Sequence, residues 1–245
     1  MKKTWLVLAA CLALGFPALA SAASAVVTSL TGDVHVQEGS AAPRILRLGD
    51  QVVQGQTIVT GASSSVVLRF DDGQIAALSA SSRMEVNAYT YDAPRQRGNI
   101  LLSLFRGGMH VLTGLIGHNQ SDNVKFRAAT ATIGIRGSEG NIVTDGTDVA
   151  VTVSDGALTF TFAGQTIVIP AGAGVFAANG QIIQGTVREI FDRLPPDFQR
   201  AIGGLDGLIA AIRAAAGQDN PPPGPPFGTP GPNVPQSNSG GGSNR

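Results

Sequence analysis

Val149-Ala150-Val151-Thr152-Val153-Ser154-Asp155-Gly156-Ala157-Leu158-Thr159-Phe160-Thr161-Phe162 is the stretch that sets the fold class. Val149, Val151 and Val153 alternate with Ala150, Thr152 and Ser154; beyond Asp155-Gly156, Leu158, Phe160 and Phe162 alternate with Thr159 and Thr161. Successive side chains of an extended strand point to opposite faces, so a period of two describes strands with one buried face. Asp-Gly between two such runs supplies the positive φ that a tight hairpin needs. Nearer the N-terminus, Val34 and Val36 alternate with Asp33, His35 and Gln37, and Val66, Leu68 and Phe70 with Val67 and Arg69. Asp72-Gly73, Asp145-Gly146 and Asn179-Gly180 repeat the turn chemistry. Many short strands at intervals of about 8–12 residues predict an all-β domain over 26–185, a sandwich, barrel or solenoid.

One echo runs inside this region. Gly55-Gln56-Thr57-Ile58-Val59 recurs as Gly164-Gln165-Thr166-Ile167-Val168. Two copies do not make a repeat protein; they fit similar β-units at the two ends of one domain, or chance in Gly/Val/Thr-rich sequence.

Around Thr186 the period changes. Val187, Ile190, Phe191 and Leu194 share one helical face, and Leu205, Leu208, Ile209 and Ile212 follow the i, i+3, i+4, i+7 spacing. Pro195-Pro196 and Gly203-Gly204 interrupt the pattern. Two or three short amphipathic helices are expected over 186–216, packed on an exposed edge or open end of the β-domain. Residues 217–245 are Pro, Gly, Ser and Asn with few apolar residues, a composition that cannot offset the entropy of ordering and predicts a disordered tail.

The N-terminus reads as a secretory signal. Lys2-Lys3 is a basic start, residues 5–14 are an apolar run, Gly15 and Pro17 break it, and Ala18-Leu19-Ala20 and Ala20-Ser21-Ala22 offer small-x-small cleavage sites. The run is shorter than the roughly 20 residues that span a bilayer. Leu8-Ala9-Ala10-Cys11 resembles a lipobox, but the apolar run continues past Cys11, so cleavage near residue 22 and a periplasmic or secreted product are the expectation, with a lipoprotein through Cys11 disfavoured.

Loss of the signal leaves no cysteine, hence no disulfide and no thiolate metal site, and 15 basic against 17 acidic residues. That balance argues against a nucleic-acid footprint. Lys125 is then the only lysine. No later apolar stretch has transmembrane length. His35, His110 and His118 are dispersed, and each is expected on the surface or in a loop, so no metal site is predicted. Asp71-Asp72-Gly73 reads as turn chemistry, since a calcium loop needs several alternating oxygen ligands. There is no G-x-S-x-G elbow and no G-x-x-x-x-G-K-[ST] loop. Gly134-Ile135-Arg136-Gly137 is glycine-rich but is placed between strands, not before a helix, which makes a poor anion cradle. No catalytic residue and no cofactor is expected.

The same segment carries a resemblance. Gly32-Asp33-Val34-His35-Val36, then Leu48-Gly49-Asp50 with Thr60-Gly61 and the strand ending at Phe70, then Ala131-Thr132-Ile133-Gly134-Ile135-Arg136-Gly137-Ser138-Glu139, then Gly156 with Ala171-Gly172, resemble in order the stretches of the FecR domain family of bacterial envelope proteins. The third resembles its most specific motif, A-T-I-x-V-R-G-T-E, with Ser138 in place of threonine. The resemblance covers roughly 26–180 and implies a solenoid- or sandwich-like β-domain. Within the motif, alternation points Ile133 and Ile135 into a core and Arg136 away from it, where a guanidinium can fork onto carbonyls or a carboxylate. Arg136, Gly137, Ser138 and Glu139 are the candidate site, structural in the first reading and a partner contact in the second.

Sigma regulators of this family are implied to join a cytoplasmic anti-sigma region and a membrane helix to a periplasmic FecR domain. The signal-like N-terminus departs from that plan, so only the periplasmic module's features carry over. The expectation is a non-enzymatic envelope module for protein binding, sensing or scaffolding, with an unidentified envelope protein as partner, no nucleic acid, and a glycan- or peptidoglycan-associated role as the alternative.

Overall fold

The computed structural model describes residues 24–216, with side chains through 210. The signal-like segment with Cys11, the side chain of Ile212 and the Pro-rich tail lie outside the described residues. The chain divides into two units, 1–209 and 210–245; the second is helical over 210–216, and the first holds the fold described below.

The strands are β1 (Ala25–Thr31), β2 (Val34–Glu38), β3 (Arg44–Ile45), β4 (Gln51–Val52), β5 (Gln56–Thr60), β6 (Ser65–Phe70), β7 (Ile75–Leu78), β8 (Arg83–Asp92), β9 (Arg97–Leu112), β10 (Val124–Ala128), β11 (Ala131–Thr144), β12 (Val149–Phe162), β13 (Gln165–Pro170), β14 (Ala173–Ala178) and β15 (Gln181–Thr186). Helix α1 (Leu115–Asn119) lies between β9 and β10, and α2 (Val187–Arg193) and α3 (Pro196–Ala216) follow β15. The all-β class holds. The strands form one hydrogen-bonded network, and its single parallel pair among the described residues is β9 with β10. A parallel pair needs a crossover, and residues 113–123, with α1 and a 3-10 turn, supply it.

β9, β11 and β12 are long, and each is bent, which alternation alone does not reveal. The first half of β9 pairs with β8 and β10; past Gly107 its second half pairs with β7 and β11. The first half of β11 pairs with β10 and the second with β9. β12 pairs with β14 before its bend and with β13 after it. The network therefore folds into two layers with three strands in common. One layer runs β3-β2-β5-β8-β9-β10-β11-β12-β13, the other β4-β1-β6-β7-β9-β11-β12-β14-β15. Of the forms expected, this is the sandwich. Strands that pass from one layer to the other through a bend are the usual way such corners are made.

Asp155-Gly156 is accordingly not a hairpin. It is a bulge inside β12 opposite a second bulge at Gly137 in β11, and the register of the two strands shifts there. A sequence pattern of two apolar runs around Asp-Gly reads alike for a hairpin and for a bent strand, because both require positive φ at the glycine. Asp72-Gly73, Asp145-Gly146 and Asn179-Gly180 do join consecutive strands. The two echo segments open β5 and β13 in the same layer, but β5 is flanked by β2 and β8 whereas, among the described residues, β13 pairs with β12 alone.

Inward side chains of both layers meet in one core that includes Phe70, Leu102, Phe126, Ile133, Val151 and Phe160. Each such side chain removed from water stabilises by about 1.5–3 kcal/mol. Ile116 of α1 joins that core at one end. A second cluster lies on the outer face of the second layer: Val143, Ala150 and Phe176 pack against Ile190 and Leu194 and against Phe198, Ile202, Leu205 and Ile209. The terminal helices thus cover a sheet face rather than the expected edge. Thr186 and Glu189 start α2 with a capping box. α3 runs through Gly203-Gly204 instead of stopping there. Each glycine costs about 1 kcal/mol in a helix interior, and the four buried apolar residues on one face outweigh that.

Candidate functional site

The A-T-I-G-I-R-G-S-E segment opens β11, so the glycine-rich stretch lies within a strand, not between strands. Its alternation divides it. Ala131, Ile133 and Ile135 are buried in the core between the layers. Thr132, Gly134 and Arg136 face outward and line a shallow cleft of about 580 Å³ with Ser121, Asp122, Lys125, Thr159 and Thr161. Lys125 comes from β10, which holds Val124, Phe126 and Ala128 in the core and so presents Lys125 and Arg127 to solvent. Register places Lys125 opposite Gly134, Gly134 opposite Thr159, and Thr132 opposite Thr161. Gly134 leaves the floor low: a Cβ there would lie 2.5 Å from the Thr159 Oγ1. On the far side of β12, Thr161 Oγ1 and Thr166 Oγ1 are 2.9 Å apart.

The bend follows at once. Gly137 has φ +61 and Gly156, across from it, φ +67. Ser138 is buried and locked to Thr113: its N–H donates to Thr113 Oγ1 at 2.9 Å, and the Thr113 hydroxyl donates to the Ser138 carbonyl at 2.6 Å. Glu139, past the bend, sits 3.3 Å from His110 Nε2. The four candidate residues are therefore not brought together. Arg136 belongs to the outer face of the first layer, Ser138 to the corner and Glu139 to the second layer. The fork expected of Arg136 is not formed: its side chain is exposed, and its guanidinium makes no hydrogen bond or ion pair among the described residues.

Residues 56–159, from β5 into β12, match the family model described as FecR protein. The chain carries a FecR domain. Two crystal structures of a provisionally assigned anti-sigma factor from Parabacteroides distasonis are similar to it, each at 15% identity and a TM-score of 0.44, over 53% of this chain and 59% of that one. This chain thus spans less than two thirds of that chain. A cell surface anchoring domain is similar at 38% identity over 26% of this chain and 83% of that chain, with a TM-score of 0.25. No curated protein matches.

Three histidines of the FecR-domain chain take different places. His35 is half-buried on β2, and His118 is exposed at the end of α1, where a Cβ on Gly137 would lie 3.4 Å from its Nδ1. His110 corrects the expectation of a surface or loop residue. It is 3% exposed in β9, with Nδ1 2.9 Å from Asn141 Oδ1 and Nε2 facing Glu139. It lies opposite Asn141 in register, between the core residues Met109 and Val111, on the outer face of the second layer. Alternation alone marks it as outward, and only the covering of that face makes outward mean buried.

Asp72 is likewise more than a turn residue. It is 1% exposed; Oδ1 accepts from the Gln74 N–H at 3.2 Å and Oδ2 from the Ile116 N–H at 3.3 Å, so it ties the β6–β7 hairpin to α1. Burial pushes its carboxyl above the usual range, against the lowering effect of those bonds. Burial, and then the Asp72 charge, push the Tyr89 phenol up; its hydroxyl accepts from the Asp72 N–H at 3.0 Å. Beside them, the Gln74 side chain is fully buried, and its Nε2 and Oε1 have no partner among the described residues.

Among the described residues no group of three His, Cys, Asp or Glu could hold a metal, and no helix is long and apolar enough to cross a membrane. Thr132 lies within the A-T-I-G-I-R-G-S-E motif, but Lys125, Thr159 and Thr161 carry no motif that singles them out. The signal for them is the alternation of β10 and of the second half of β12, read for its outward residues.

Proposed function

We propose that this chain is an exported, non-enzymatic FecR-domain module of the bacterial envelope that binds a protein partner, for sensing or scaffolding. The observation that carries the reading is strand β13. Among the described residues it closes one edge of the first layer and pairs only with β12, and it has no charged residue from Gln165 to Pro170; Val168 on it is 53% exposed. Native sheets blunt free edges with charges, bulges or covering elements, because an unpaired row of backbone groups recruits another strand. β13 keeps only its short length and the terminal Pro170. A partner strand would add main-chain hydrogen bonds there and read alternate side chains such as Thr166 and Val168.

Chemical crosslinking and capture from envelope extract test this with the full chain and with Val168→Lys, which places a charge on the edge at an exposed position. The expected result is a stoichiometric protein partner that Val168→Lys loses while its circular dichroism stays that of the parent. Retention by cell-wall material with no protein partner sinks the reading. The export component is checked by the mass of the product from the envelope, which should lack the first 22 or so residues.

A further inference from the structure

The cleft over Gly134 has a charge pattern that the core does not require. Lys125 and Arg136 stand on neighbouring strands, two residues apart in register, around a floor whose central position has no side chain. Arg127 lies on the same outward face of β10, opposite Thr132. None of the three makes an ion pair among the described residues, whereas Arg44, Arg95, Arg188 and Arg200 each have a carboxylate partner. Asp122, itself exposed, is the one carboxylate in the lining, and Glu85 lies two strands away beyond Ser103. Three cations thus gather on one uncovered face of a chain whose formal net charge is zero. Hydroxyl groups of Thr132, Thr159 and Thr161 line the rest and can donate to an oxyanion.

We propose that this cleft binds a carboxylate presented by an acidic segment of the protein partner, with Arg136 and Lys125 as the cationic contacts. This rests on the protein-binding reading. A guanidinium offers two parallel donors that match a carboxylate, the lysine adds a point charge, and charge-assisted bonds of this kind are the strong ones. An acidic segment fits a site whose floor is flat and whose walls are short threonines, since an extended chain can lie across it with its charged side chains down.

The probe is a fluorescently labelled oligoglutamate peptide, titrated by anisotropy into the full chain. Saturable binding is expected, weakened about tenfold in the Lys125→Gln/Arg136→Gln double variant and unchanged in Arg193→Gln, which removes an exposed positive charge from α2 instead. Both cleft residues are exposed, so circular dichroism should be that of the parent. Absence of saturable binding, or equal weakening by Arg193→Gln, overturns the proposal. Displacement of the peptide by inorganic phosphate but not by acetate overturns the carboxylate assignment. Partner capture keeps this separate from the broader reading: a partner that the double variant still captures removes the cleft alone, and no partner at all removes the protein-binding role.

Discussion

A Cβ on Gly156 would lie 2.2 Å from the carbonyl oxygen of Gly137, so β11 and β12 cross their common corner in backbone contact. Both glycines have positive φ, and both sit where the two strands leave one layer for the other.

Gly156→Ala therefore meets two obstacles, a left-handed backbone and a clash with main chain that cannot swing aside. The expected loss is about 2–4 kcal/mol of unfolding free energy, at the upper end of single substitutions. Urea titration followed by circular dichroism measures it, and a loss below about 0.5 kcal/mol would show that the corner relaxes at little cost.

Arg136 and Ile135 are adjacent and should behave oppositely. Ile135 is 1% exposed in the core, so Ile135→Ala should cost about 2–5 kcal/mol. Arg136 is exposed, so Arg136→Ala should stay within about 0.5 kcal/mol of the parent. A melting scan of the pair decides it; a large drop for Arg136→Ala would return that residue to a structural role.

Gln74 places a desolvated amide in the interior with no partner among the described residues. An unsatisfied buried polar group costs about 1–3 kcal/mol, and an apolar group of like size removes that cost. Gln74→Leu should melt no lower than the parent, and Gln74→Ala lower because it leaves a cavity. If Leu lowers the melting point as much as Ala does, the amide is satisfied by ordered water.

The pH dependence has two opposed parts. Burial raises the Asp72 carboxyl above 3.8, so between that value and the raised one the folded state holds a proton that the unfolded state has released. Stability falls as pH rises through that window, and the cost is full above it. Asp50 is lowered by the Arg47 N–H and by Arg44, so its contribution is present above 3.8 and is lost as pH falls through its folded value. Asp71 next to it is also raised by burial, so Asp72→Asn should reduce the first slope to the part that Asp71 carries and keep the second, whatever its constant offset. Urea midpoints from about pH 3 to about pH 7 test this, and an unchanged upper slope in Asp72→Asn would be the contrary result.

Much of the fold is legible in local patterns. Alternation in Val149–Val153 and Leu158–Phe162 identifies strands and their buried sides, and the change of period at Thr186 identifies helices, because both signals are local consequences of backbone geometry. The Arg136 motif is legible as a motif. Its division is not: whether Gly137 ends a strand or bends it depends on which strands lie alongside, and those are distant in sequence.

The residues alone specify an all-β domain, the FecR resemblance, Ile133 and Ile135 as inward and Arg136 as outward. What outward means at each place is set by tertiary packing. On the second layer, α2 and α3 cover the outer face, and His110 and Asn141 there are buried and bonded to each other. On the first layer no described helix covers β10 to β13, and Lys125, Arg136 and Val168 face solvent. Alternation sets the side of a sheet that a residue takes; burial is set by what packs on that side, and no local pattern carries that information.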